Sequence, residues 1–176
     1  MDFRVLRVPD GYFVPESIVD GSGLRSVIFV QGCGHNCKGC HNRSTWDFNG
    51  GHEVEIDEVY SKIEQADSFL HKGITLTGGE PMLQCVPLLS LVRMYKSNFS
   101  KNVWCYSGFT YEQIVARPKM KELLKEIDVL VDGKFIEEQK SLHLKFKGSE
   151  NQRIIDVKKS REENRIVLWE GDTNEV

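Results

Sequence analysis

Long apolar runs are missing. In the 176-residue sequence none approaches the roughly 18 residues a bilayer span requires, and Val27-Ile28-Phe29-Val30 is typical of the longest. An excess of cationic charge is missing too: 23 Lys and Arg stand against 26 Asp and Glu, a net charge of −3. No electrostatic grip on nucleic acid or anionic lipid is therefore expected. The opening Met1-Asp2-Phe3-Arg4-Val5-Leu6-Arg7 alternates charged and apolar residues without the apolar core of a secretory signal, and a cytoplasmic protein is expected. Proline is scarce, at 5 residues, and no Pro/Ser-rich linker, repeat or low-complexity tract interrupts the chain. One domain spanning residues 1–176 is expected, with a core of ordinary size: hydrophobic residues make up 40% and charged residues 28%.

An even cysteine count is also lacking. The five are Cys33, Cys37, Cys40, Cys85 and Cys105, and an odd number without a signal peptide argues against a disulfide framework. Three of them crowd into Gly32-Cys33-Gly34-His35-Asn36-Cys37-Lys38-Gly39-Cys40-His41-Asn42, a poor setting for disulfides but a suitable one for a metal centre. Cys85 and Cys105 stand alone among apolar neighbours and read as buried free thiols.

What is present is an alternation of short β-branched runs with helical periods. Ser26–Val30, Ile74–Thr77, Val103–Tyr106 and Val129–Val131 read as strands, and a long polar, Gly-rich loop follows the first. Between them, Ile56, Val59, Ile63, Ala66 and Leu70 keep helical spacing, with Asp57 and Glu58 suited to a first turn. Leu88, Leu91, Val92 and Tyr95 predict a helix entered near Pro87, and Met120, Leu123, Leu124 and Ile127 another after Pro118. Leu142–Phe146 and Ile166–Trp169 read as further strands. Such alternation implies an α/β fold with a parallel sheet, and 176 residues fall short of the roughly 250 of a closed eightfold barrel, so a partial, open barrel is expected.

Sites in such folds form at the carboxyl ends of the strands. The unusual residues fall there: the cysteine loop, then Thr77-Gly78-Gly79-Glu80-Pro81, then Ser107-Gly108, then Asp132-Gly133-Lys134. Three thiolates on a [4Fe–4S] cube would leave one iron open for reaction, while a zinc site completed by His41 or His35 is the rival reading. Gly78 and Gly79 expose backbone for a ligand to pair with, and the Glu80 carboxylate is placed to accept from an ammonium group. Asp132 and Lys134 read either as a local ion pair or as a grip on a zwitterionic ligand. Trp46 and Trp104 read as core. His35, His52, His71 and His143 read as surface or locally bonded residues, Glu137-Glu138-Gln139-Lys140 as a solvated loop, and Gly171–Val176 as a frayed or partner-touching tail.

Cys33-x3-Cys37-x2-Cys40 with Gly78-Gly79-Glu80 resembles the radical S-adenosylmethionine enzymes. More closely, Asp20-Gly21-Ser22-Gly23-Leu24-Arg25, the cysteine loop, Thr77–Pro81, Tyr106-Ser107-Gly108, Val129–Phe135 and Gly148–Arg153 resemble the activating proteins of anaerobic (class III) ribonucleoside-triphosphate reductases. Ser22 stands where those proteins often carry Pro, and Gly39 replaces the aromatic that many radical S-adenosylmethionine enzymes place before the third cysteine.

The resemblance implies a partial parallel β/α barrel of the radical S-adenosylmethionine type, with a [4Fe–4S] cluster on Cys33, Cys37 and Cys40. It implies S-adenosylmethionine bound by its amine and carboxylate to the open iron. Gly78, Gly79 and Glu80 would lie on the amine side, Ser107, Asp132, Gly133 and Lys134 along the carboxylate and ribose, and Gly39, Cys40 and His41 near the adenine. No side chain is expected to act as a catalytic acid or base. The implied partners are the glycyl-radical subunit of the reductase and a low-potential electron donor. The competing expectations are a small radical enzyme acting on a metabolite, such as a 7-carboxy-7-deazaguanine synthase; an activator of another glycyl-radical enzyme, such as pyruvate formate-lyase; and a non-catalytic zinc-binding adaptor.

Overall fold

The computed structural model describes residues 2–171. Four strands run parallel at its centre: β3 (Leu24–Val30), β5 (His71–Gly78), β6 (Asn102–Tyr106) and β7 (Val129–Asp132). β2 (Phe13–Ser17) adds antiparallel to β3 and β8 (Arg153–Asp156) antiparallel to β7, so the sheet order is β2-β3-β5-β6-β7-β8. A separate antiparallel pair, β1 (Val5–Val8) with β4 (His52–Glu55), turns Leu6, Val8 and Val54 into the core.

The helices lie where the apolar spacing places them, and local signals set their ends. α1 (Ile56–Ala66) buries Ile56, Val59 and Ile63 and carries Asp57 and Glu58 in its first turn, where carboxylates suit the helix dipole. α2 (Cys85–Asn98) starts two residues before Pro87, after a 3-10 turn at Pro81–Gln84; the missing proline N–H falls among the first-turn donors that lack partners anyway. α3 (Tyr111–Val115) is fixed by a capping box between Thr110 and Gln113, and α4 (Pro118–Leu124) by Pro118 in its first turn. α5 (Val157–Glu163) is capped by Asp156 accepting from the Lys159 N–H.

Strand periodicity then divides the sheet into two faces. Ile28, Val30, Ile74, Leu76, Val103, Cys105 and Leu130 join α1, α2 and α4 in the main core. On the other face Trp104, Val129 and Val131 form a smaller cluster with Tyr106, Phe146, Ile154 and Trp169. Burial on both sides is what parallel strands require.

Four parallel strands match the four read from sequence, and the α/β reading holds in that form; among the described residues no closed barrel is formed. Leu142–Phe146 is not a strand: Leu142 is 90% exposed and Phe146, with φ +64, turns back to pack edge-on against Trp104 and Trp169. Ile166–Trp169 pairs with β8 only through a single bridge, Ile155 to Leu168. Leu70 lies beyond the end of α1 and is exposed, and Ile127 lies beyond α4 although buried. His71 is buried, with its ring nitrogens on Ser68 and the Pro15 carbonyl. Among the described residues no helix is long and apolar enough to cross a membrane. From residue 172 on, the expectation for the tail lies outside the described residues.

Candidate functional site

A cavity of about 150 Å³ opens at the carboxyl ends of the four parallel strands. β3 contributes the loop carrying Cys33, His35, Cys37, Cys40, Asn42 and Trp46; β5 contributes Thr77 to Glu80; β6 contributes Tyr106 to Gly108; β7 contributes Val131, Gly133 and Phe135. Gln152, just before β8, closes the side.

The cysteine loop is anchored at both ends. Gly32 and Cys33 donate backbone N–H bonds to the carbonyls of Thr45 (2.7 Å) and Trp46 (3.1 Å), so the loop closes on itself. The Glu80 N–H donates to the Gly32 carbonyl at 2.8 Å, and Asn42 Nδ2 reaches the Gly78 carbonyl at 3.4 Å. Gly79 is obligatory in this arrangement, because a Cβ there would sit 2.5 Å from the Gly32 oxygen. The two strand tips touch backbone to backbone.

Of the three thiols, Cys40 receives a backbone N–H, from Asn42 at 3.4 Å. Burial pushes the Cys33 thiol above its ordinary range, and Glu80, Cys37 and Cys40 add to that, against the His35 N–H. Burial likewise raises Cys37, opposed by the Phe135 N–H and by Lys134. N–H groups aimed at sulfur stabilise thiolates and tune a bound metal group. Among the described residues no three or more His, Cys, Asp or Glu side chains are arranged to hold a metal ion; the three thiols instead rim a shared space.

Glu80 is 1% exposed, and both of its carboxylate oxygens are taken. Oε1 accepts from the Met82 N–H (3.0 Å) and Ser107 Oγ (2.8 Å); Oε2 accepts from the Gly108 N–H (2.7 Å) and lies 2.7 Å from His35 Nε2. Four donors fill the acceptor capacity of a carboxylate, so the expected bond to a ligand ammonium finds no vacant oxygen. What the cavity offers beside the thiols at this point is the Gly78–Gly79 backbone.

Of the residues singled out from sequence, Cys33, Cys37, Cys40, Gly78, Gly79, Glu80, Ser107 and Gly133 share the cavity. Gly39, His41, Asp132 and Lys134 do not line it. Gly39 lies against the Glu137 side chain, His41 is exposed beside the Phe135 ring, and Lys134 is exposed. Asp132 is 1% exposed and shares the parity of Leu130, so it points to the helical side; it accepts from the Tyr111 N–H and from Arg153 rather than pairing with Lys134. Thr77 and Tyr106, which the sequence offers only as members of their motifs and without a role, line the cavity as well, and their parity with Thr75 and Trp104 marks the same face. Trp104 is core, as expected, but Trp46 is half-buried on the rim with Arg43 over its ring. Cys85 and Cys105 are buried.

Residues 19–155 match the family model of the 4Fe-4S single cluster domain. The chain is similar to proteins named anaerobic ribonucleoside-triphosphate reductase-activating protein from three sources. That of Vibrio cholerae is 38% identical over 149 residues, 81% of this chain and 94% of its own length. That of Enterobacteria phage T4 is 37% identical, covering 80% and 88%. That of Escherichia coli K12 is 35% identical, covering 81% and 94%.

Proposed function

The chain belongs to the family of anaerobic ribonucleoside-triphosphate reductase-activating proteins and carries their 4Fe-4S single cluster domain, and from that premise we propose how its residues perform the activation. It is an activase, and its reductase is the protein it acts on. The observation that carries the reading is the convergence of Cys33, Cys37 and Cys40 with the Gly78–Gly79 backbone on one cavity at the strand tips.

The donor set suits the cofactor. Three thiols on the rim of one cavity, with the Asn42 N–H on Cys40 at 3.4 Å, match a cubane bound at three corners, with the fourth open to a cosubstrate. Held by Cys33, Cys37 and Cys40, a [4Fe–4S] cluster would supply the electron for reductive cleavage of S-adenosylmethionine, and with it the hydrogen-atom abstraction that installs a radical on one glycine of the reductase.

The protein's own work is placement and exclusion of water. Cys33, Cys37 and Cys40 hold the cluster. The carbonyls of Gly78 and Gly79 orient the amine of S-adenosylmethionine, the Gly79 N–H being held by the Val30 carbonyl at 2.8 Å. Thr77, Tyr106, Ser107 and Gly133 line the wall along the ribose, and Trp46 covers one rim. No side chain serves as a general base, because hydrogen-atom transfer needs none. The cluster would take its electron from a low-potential donor, and a cytoplasmic location would keep the thiols reduced. The four parallel strands are read as an arc of the open barrel used by radical S-adenosylmethionine enzymes, wide enough at its mouth to admit a loop of a folded partner.

The test is electron paramagnetic resonance of an anaerobic mixture of reduced, reconstituted protein, S-adenosylmethionine and the class III reductase. A glycyl-radical doublet on the reductase is expected, and is absent when S-adenosylmethionine is omitted. A silent spectrum from protein with a full, reducible cluster overturns the reading.

A further inference from the structure

His35 sits between the first two cysteines and is neither a thiol ligand nor a surface residue. Its side chain is 9% exposed, its Nε2 lies 2.7 Å from Glu80 Oε2, and its ring meets Phe109 edge-on at 4.7 Å. Glu80 is ionisable and accepts from three other donors, so the imidazole N–H donates to it. The ring lies close against Gly108: a Cβ at Gly108 would collide with His35 Cδ2 and come within 2.6 Å of Nε2. The next residue, Asn36, is in the left-handed region at φ +55, a conformation Asn tolerates better than most residues. The segment from Cys33 to Cys37 therefore turns sharply just after a side chain anchored to two other strand tips.

We propose that His35 is a positioning residue that acts through Glu80 to hold the Cys33–Cys37 arm over the Gly78–Gly79 backbone, setting the distance between the cluster and S-adenosylmethionine before either binds. The inference rests on the activase reading and deepens it. The cysteine loop begins at Gly32, which Glu80 holds by its backbone N–H, and its middle is held by the same residue's carboxylate. Glu80 also fixes Ser107 and Gly108 on β6. One buried carboxylate thus ties three loops, and His35 is the only one of its four donors that belongs to the cysteine loop. Without it, the thiols keep their chemistry but lose their register against β5.

The test compares wild type, His35→Ala and His35→Gln after anaerobic reconstitution. It reads iron and sulfide per chain, and the change in the reduced-cluster paramagnetic spectrum on titration with S-adenosylmethionine. His35→Ala is expected to keep wild-type iron and to need about tenfold more S-adenosylmethionine for the spectral change. His35→Gln, whose amide N–H can reach Glu80, restores most of the response. Gly108→Ala, melted as the metal-free protein, is expected to lower the midpoint strongly in the wild-type background and little in the His35→Ala background, since the collision needs the imidazole.

An unchanged titration in His35→Ala overturns the inference, as does a Gly108→Ala penalty that is the same with and without His35. Loss of iron from His35→Ala overturns it in favour of direct ligation. Wild type that shows no response to S-adenosylmethionine overturns this inference and the activase reading together, whereas a normal wild-type response with an unchanged variant overturns this inference alone.

Discussion

Arg153 Nη2 lies 2.6 Å from Asp132 Oδ2, and its Nε lies 3.0 Å from Oδ1, so the last residue of β7 is clamped from β8 behind the cavity wall. Arg153 also reaches Glu112 on α3, and the Tyr111 N–H completes the set around Asp132. The pair joins two neighbouring strands to the helix that follows β6.

Arg153→Met leaves the Asp132 carboxylate buried without its cation. Because Arg153 is about a third exposed, the expected loss is about 2 kcal/mol, less than for a fully buried pair. Urea unfolding measures it. S-adenosylmethionine titrations of Asp132→Asn should match wild type, because that carboxylate faces the helices; a large rise in the concentration required would assign it to the ligand instead.

Replacing Cys33, Cys37 or Cys40 with Ser abolishes the brown chromophore and most bound iron after anaerobic reconstitution. Cys85→Ser and Cys105→Ser keep both, since each thiol is buried away from the cavity. Iron and sulfide assays separate the two groups.

Gly79→Ala drives a methyl group onto the Gly32 carbonyl and wedges the tips of β3 and β5 apart. A loss of about 2 kcal/mol in the metal-free protein is expected, with a weaker response to S-adenosylmethionine. A melting curve identical to wild type would mean that the two tips do not meet in solution.

Alkaline pH should destabilise the metal-free chain. Burial raises the Cys105 thiol well above its ordinary range, and burial raises Tyr95 and Tyr106 as well. In the unfolded chain these groups lose protons at their ordinary values, about 8.5 for Cys and about 10 for Tyr. Their contribution to stability is thus full below those values and declines as pH climbs past them towards the folded-state values. The urea midpoint should fall from about pH 8.5 upward, and Cys105→Ala should make the first part of that fall shallower.

Much of the site was legible because its chemistry sits at strand ends, and strand ends are marked by where β-branched runs stop. Cys33, Gly78, Ser107 and Gly133 could be placed on one rim from that alone. Asp132 marks a limit of adjacency: next to Gly133 in sequence, it is sent to the opposite face by the alternation from Leu130. The same alternation would have found Thr77 and Tyr106. His35 carried no such signal, since its role depends on Glu80 and Gly108, which are far from it in sequence. The run Leu142–Phe146 has the apolar content of a strand, yet Phe146 is drawn against Trp104 and Trp169 by tertiary packing that local pattern does not encode. The short first strands and α3 carry too little periodicity to be legible, because each has only four or five residues.

The cavity draws on residues from Cys33 to Gln152. A ribosome therefore releases the three thiols long before the surfaces that surround them exist. Iron offered to the nascent chain would meet a solvated loop open to air and to competing ions. Delivery after synthesis has finished is the order of events this topology favours.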